Sequence, residues 1–99
     1  MSKRSKACDI TPKVRREVVK RDNGLCCLCG RQGNDVAHYI PRSLGGLGVK
    51  ENLLVLCRSC HHSYDNSKHR RTIKGEIEAY LKRMYDDWDK DKLVYRKWG

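Results

Sequence analysis

The sequence has no phenylalanine and no run of apolar residues near the length of a membrane span. No apolar leader of the signal-peptide kind opens it; it starts "MSKRSKACDITPK", polar and basic. Acid is scarce, with 12 Asp plus Glu against 22 Lys plus Arg, a formal charge of +10. Core-forming residues are also scarce, since hydrophobic side chains make up 38% of 99 residues. These absences lead us to expect one small cytoplasmic domain without a membrane span. A domain this small and this polar usually needs a disulfide, a metal or a partner to hold it.

Six cysteines are present: Cys8, Cys26, Cys27, Cys29, Cys57 and Cys60. In a reducing compartment such residues point to metal before disulfide. Two Cys-x-x-Cys pairs stand out, Cys26 with Cys29 and Cys57 with Cys60. Each spacing lets a tight turn aim two sulfurs at one ion, and two turns complete a tetrahedron. Gly30 suits the end of the first turn, where positive φ is needed. Zn²⁺ on four thiolates is the expected staple, and such a closed site holds a fold and leaves no open position for a substrate. Cys27 is expected to be a buried free thiol, and Cys8 to be structural or incidental. Four thiolates and one zinc ion would leave a charge of about +8. A polyanion partner follows, nucleic acid first.

Residues 1–10 read as a basic, disordered tail. Residues 11–99 read as a single domain. Thr11 is a good N-cap and Pro12 suits the first helical position. Val14 and Val18 lie one turn apart, and Asn23-Gly24 stops that helix. "DVAHYI" (35–40) alternates, with Val36, His38 and Ile40 on one face. A loop with Gly45, Gly46 and Gly48 follows, then "LLVL" (53–56) as a second strand. "CRSCHHSYDN" (57–66) reads as a short helix. Residues 72–88 read as an amphipathic one, with Ile73, Ile77, Leu81, Met84 and Trp88 as a packing stripe. Trp88, Trp98 and the tyrosines are expected to pack. The fold class is α+β: a two-stranded antiparallel hairpin plus helix, zinc-stapled and flanked by N- and C-terminal helices.

His38 lies on the first strand, and His61 and His62 directly follow Cys60. On a helix His61 and Asp65 share a face, while His62 points about a quarter-turn away. The second cysteine pair ties the strands to this helix, so His38 and His61 are expected to face each other across a small cleft. The stretch "AHYIPRSLGGLGVKENLLVLCRSCHH" resembles the HNH family of endonucleases, built on the ββα-metal fold. The resemblance rests on His38, Pro41, Gly45, Gly46, Asn52, Leu53 and Cys57-x-x-Cys60-His61 in order. It covers residues 24–66, and the small basic chain looks like the HNH enzymes of bacteriophages.

The resemblance implies a metal-dependent DNA endonuclease or nickase acting on double-stranded DNA. His38 matches the general base, Asn52 the residue that pins the loop between the strands, and His61 a ligand of one divalent cation, Mg²⁺ or Mn²⁺. A near-neutral imidazole suits a base, and one Lewis acid can offset charge on the leaving oxygen. Many members carry Asp or His directly before the base; here that position is Ala37, which cannot ligate. Asp65 is the first substitute, with Asp35 and His62 behind it. Arg42, Lys50, Arg58, Lys68, Arg70 and Arg71 flank the site in sequence and suit phosphate contacts. The phage likeness implies a place beside DNA-packaging machinery, and a single site per monomer implies nicking. The rival reading is a zinc module that binds DNA or RNA without cutting.

Overall fold

The computed structural model describes residues 3–96. Six helices and strands matter: α1 (Lys3–Cys8), α2 (Pro12–Arg21), β1 (Asp35–His38), β2 (Leu53–Leu56), α3 (Arg58–Asn66) and α4 (Arg70–Met84). β1 and β2 pair antiparallel, with Asp35 opposite Leu56 and His38 opposite Leu53. Thr11 caps α2, its hydroxyl accepting from the Val14 amide at 3.2 Å. Among the described residues no helix is long and apolar enough to cross a membrane.

The small sheet is covered on both faces, and this is why all four residues of β2 are apolar and buried. Val36, Leu53 and Val55 meet Val18 of α2 on one side. Ala37, Leu54 and Leu56 meet Tyr64 of α3 and Ile77 and Leu81 of α4 on the other. The strand alternation that sorts these residues also sorts the polar ones, and the site depends on it.

Three expectations change. β1 ends at His38, not Ile40, because the Ile40 amide donates to the Asn52 side chain instead of to a strand. α4 stops at Met84, four residues early: Asp86 and Asp87 follow, and acidic side chains oppose the negative end of a helix dipole. Trp88 still packs, its ring 5.4 Å from that of Tyr39 and its Nε1 donating to the Glu51 carbonyl at 2.8 Å. The third change is at the N-terminus, where residues 3–8 form a helix instead of a disordered tail. Its anchors are remote: the Gly48 amide donates to the Ala7 carbonyl at 2.9 Å, and Cys8 is buried. Trp98 lies outside the described residues.

One polar junction ties α2, β2 and α4 together. The buried Asp22 carboxylate accepts from the Arg21 guanidinium at 2.7 Å, from the Val55 amide at 2.9 Å and from the Tyr80 hydroxyl. Arg21 lies within 6 Å of the rings of Tyr80 and Tyr85, at 5.8 and 5.7 Å. Burial works against the Arg21 charge, but Asp22 and Tyr85 more than offset it. Asp22→Ala would leave the partly buried Arg21 guanidinium without its carboxylate and orphan the Val55 amide. We expect a loss of about 3–5 kcal/mol in denaturant unfolding, whereas Glu17→Ala on the exposed face of α2 should change stability by less than about 0.5 kcal/mol.

Candidate metal and nucleic-acid site

The sulfurs of Cys26, Cys29, Cys57 and Cys60 all lie within 4.8 Å of one another. Tetrahedral zinc with Zn–S near 2.3 Å needs sulfur separations of about 3.8 Å, and the Cys29–Cys57 separation is 3.6 Å. The donor set therefore fits one four-coordinate ion. No disulfide competes among the described cysteines. Local geometry brings the sulfurs together. The first turn is tethered to β2 by the Cys27 amide, which donates to the Val55 carbonyl at 3.0 Å, and closes through Gly30 at φ +77°. The second pair sits at the start of α3, where Cys57 is the N-cap and its sulfur accepts from the Cys60 amide at 3.4 Å. Burial opposes ionisation of Cys26, but the amides of Cys57, Cys29 and Leu28 bring its thiol down to about 7. Cys27 stands apart: burial, then the neighbouring Cys26, pushes its thiol up to about 12.

Between the strands runs the loop of residues 39–52, and Asn52 closes it. Asn52 is completely buried. Its Oδ1 accepts from the Ile40 amide at 2.9 Å, and its Nδ2 donates to the carbonyls of Leu47 at 2.8 Å and Ile40 at 3.2 Å. One side chain thus spans both ends of the loop. Gly46 permits the closure: a Cβ there would sit 1.7 Å from the Ile40 carbonyl oxygen.

α3 carries His61 onto the sheet face shared by Asp35 and Ala37. The His61 Nδ1 lies 2.9 Å from Asp35, and its Nε2 lies 3.3 Å from Asp65. The ring is therefore held between two carboxylates. The hydrogen bond with His61 opposes a smaller burial effect and, with Arg58, keeps Asp35 below the usual carboxylate range. These groups line an open cleft of about 410 Å³ with Arg15, Arg58 and His62. Ala37, by contrast, is buried beneath α3.

His38 does not share that cleft. It lies on the opposite face of β1, where its Nε2 is 2.9 Å from the Cys8 carbonyl oxygen. Burial of the ring, with a smaller contribution from Arg42, holds it below its usual basicity, and the Cys8 carbonyl partly opposes them. The expected cleft with His38 and His61 face to face is thus corrected. Residues three apart on a strand emerge on opposite sides, so Asp35, not His38, meets His61.

Residues 26–67 match the family model described as HNH endonuclease. They take in both cysteine pairs, both strands, the loop and α3. Residues 26–67 thus form an HNH-type segment of the chain. The chain is 31% identical over 83 residues to the type IV methyl-directed restriction enzyme EcoKMcrA of Escherichia coli (strain K12), covering 74% of this chain and 30% of that enzyme. It is 29% identical over 70 residues to anaredoxin of Nostoc sp., covering 69% of this chain and 87% of that protein. The chain thus spans less than a third of the first relative's length.

Around the HNH module the basic residues differ in freedom. Arg58 is largely exposed at the cleft and 3.2 Å from Asp35. Lys50 lies over the Tyr85 ring and Arg70 over the Tyr64 ring, while Arg71 is exposed. Arg42 pairs with Asp9, and neither lines the His61 cleft. Sequence reasoning missed Arg15, whose guanidinium donates to the Asn34 carbonyl at 2.8 Å on the rim of the cleft. The only signal for it was the basic face of α2.

Asn52→Ala removes three hydrogen bonds from a fully buried position. We expect a loss of about 3 kcal/mol in unfolding, with the amides of residues 40–47 exchanging with solvent faster than in the wild type. An unchanged exchange pattern would show that the loop is held by something else.

Proposed function

We propose that this protein is a metal-dependent DNA endonuclease that nicks one strand per event. The observation that carries this reading is His61 held between Asp35 and Asp65 in an open cleft rimmed by Arg15 and Arg58. Carboxylates and an imidazole suit a divalent cation; the arginines suit the phosphate that approaches it. Asp35 orients the ring by accepting from Nδ1–H, which leaves Nε2 and Asp65, one helical turn on, as the ligand pair. Asp35 and Asp65 thereby make up for Ala37. The bound cation, Mg²⁺ or Mn²⁺, would supply charge neutralisation at the phosphate and at the leaving oxygen.

His38 is the base that takes a proton from water, and Asn52 holds the loop beside it. β1 pairs only with β2 in the described sheet, so no third strand occupies its outer edge. A DNA backbone laid along that edge meets side chains from both faces, His38 from one and the His61 cleft from the other. Hydrolysis would leave a 5′-phosphate and a 3′-hydroxyl. Arg42, Lys50, Arg58, Arg70 and Arg71 add phosphate contacts, which position the duplex without reading its sequence. With one such site per chain, a monomer nicks, and a double-strand break takes two events. Zinc on Cys26, Cys29, Cys57 and Cys60 is structural in this reading.

A second reading has one specific observation in its favour. The position before His38 holds a buried alanine where the family resemblance carries a ligand. A zinc module that binds DNA or RNA without cutting would tolerate that.

Supercoiled plasmid with Mg²⁺ or Mn²⁺ separates the two. Wild type should nick, and His38→Ala and His61→Ala should each lose about 10²-fold or more in rate. Equal cutting by His38→Ala would rule out its role. A gel shift kept by wild type and both variants, with no nicking by any, would favour the binding module. The pH profile adds a signed test. A base must be neutral, and burial holds His38 below its ordinary value of 6.5. The acid limb of kcat/KM should therefore have its midpoint below about 6.5; a midpoint near 7.5 would contradict the assignment. For zinc, native mass spectrometry should show one ion per chain, lost together with the fold in Cys57→Ser.

A further inference from the structure

The HNH match begins at Cys26, and residues 3–10 lie outside it. They nonetheless end on His38. The ring's Nε2 is 2.9 Å from the Cys8 carbonyl oxygen. A carbonyl only accepts, so the contact requires the proton to sit on Nε2, and Nδ1 keeps its lone pair. Among the described residues Nδ1 has no hydrogen-bond partner. None of their buried polar side-chain atoms lacks a partner either, so Nδ1 reaches solvent.

The carbonyl is not placed there by chance contact. The segment carrying it is strapped to the loop between the strands at several points. The Gly48 amide donates to the Ala7 carbonyl at 2.9 Å, Arg4 donates to the Ser43 carbonyl at 3.0 Å, and Arg42 pairs with Asp9. Gly48 lets the two backbones touch: a Cβ there would lie 2.0 Å from the Asp9 carbonyl oxygen and 3.0 Å from that of Cys8. The Cys8 side chain is buried, which fixes the end of α1. The same loop is closed from its other end by Asn52.

We propose that residues 3–10 are a positioning strap of the active site. The Cys8 carbonyl fixes His38 as the Nε2–H tautomer and turns Nδ1 to the water it deprotonates. This rests on the nuclease reading of His38. In the step, the O–H bond of water breaks and its proton goes to Nδ1. The oxygen's electron pair forms the new bond to phosphorus as the bond to the 3′-oxygen breaks, and the 3′-oxygen takes a proton from solvent water. The imidazolium so formed still donates from Nε2 to Cys8, so the carbonyl stabilises it without moving.

Long-range ¹H–¹⁵N NMR of the zinc-loaded full chain reads the tautomer directly, with the His38 signals assigned by their loss in His38→Ala. Gly48→Ala drives the strap off the ring and leaves the cysteine cluster alone. Asp9→Ala, which removes only the ion pair to Arg42, is the milder companion in case Gly48→Ala does not fold. We expect the Nε2–H tautomer in wild type and a mixture of tautomers in Gly48→Ala. Its nicking kcat should fall about 10-fold or more at little-changed KM, with zinc content held. Asp9→Ala should move both readouts the same way by less. An Nδ1–H tautomer in wild type would overturn the proposal. So would a folded Gly48→Ala protein whose tautomer is lost while kcat stands, or whose kcat falls while the tautomer stands. A wild type that shows the Nε2–H tautomer but never nicks would support the strap's hold on the ring and overturn the nuclease reading, so the two failures are distinct.

Discussion

Four sulfurs that approach one another within 4.8 Å are the constraint on which the rest of this molecule depends. Two of them belong to a turn hydrogen-bonded to β2, and two to the first turn of α3. Bringing them together fixes where α3 starts and which way it runs across the sheet. His61 is the next residue after the last sulfur ligand, so its place follows from the cluster almost by covalent geometry. A two-stranded sheet on its own is marginal in water. Here it is covered on both faces and pinned at one end, which lets so small a core hold a polar site at its edge.

The second constraint is the pleat of β1. Alternation sends Asp35 and Ala37 toward α3, and Val36 and His38 toward α2 and the N-terminal segment. The strand therefore divides the chemistry: a carboxylate–imidazole–carboxylate cluster on one side, a lone imidazole on a carbonyl on the other. The loop of residues 39–52 joins the two sides. Asn52 holds it from one end, and the strap of residues 3–10 holds it from the other. Neither hold is inside the cluster, and the N-terminal one meets His38 through the Cys8 carbonyl.

Much of this was legible in the sequence because it is local. The cysteine spacing, Gly30 at a positive φ, Thr11 as a cap and the apolar run of β2 each express a rule that acts within a few residues. Asn52 was legible only through the family pattern, since nothing in an isolated asparagine announces three buried bonds to a loop. What escaped is what tertiary packing decides. Asp35 lies on the strand face opposite His38, and only packing makes that the face α3 covers. The ordering of residues 3–8 is hard to read because each of its anchors has a backbone group on at least one side: the Gly48 amide on the Ala7 carbonyl, Arg4 on the Ser43 carbonyl and Arg42 on the Ser5 carbonyl. The same holds for the Cys8 carbonyl on His38, since every residue has a carbonyl and only the fold chooses one.

If the open cleft holds a cation, Asp35, His61 and Asp65 stand in for a ligand at Ala37. Manganese titration of the zinc-loaded protein, followed by electron paramagnetic resonance, tests this most directly. One bound Mn²⁺ per chain is predicted, abolished in Asp65→Asn and weakened about 10–100-fold in Asp35→Asn, with zinc content unchanged in both. A protein that binds no Mn²⁺, or binds it equally well in all three forms, would contradict the account.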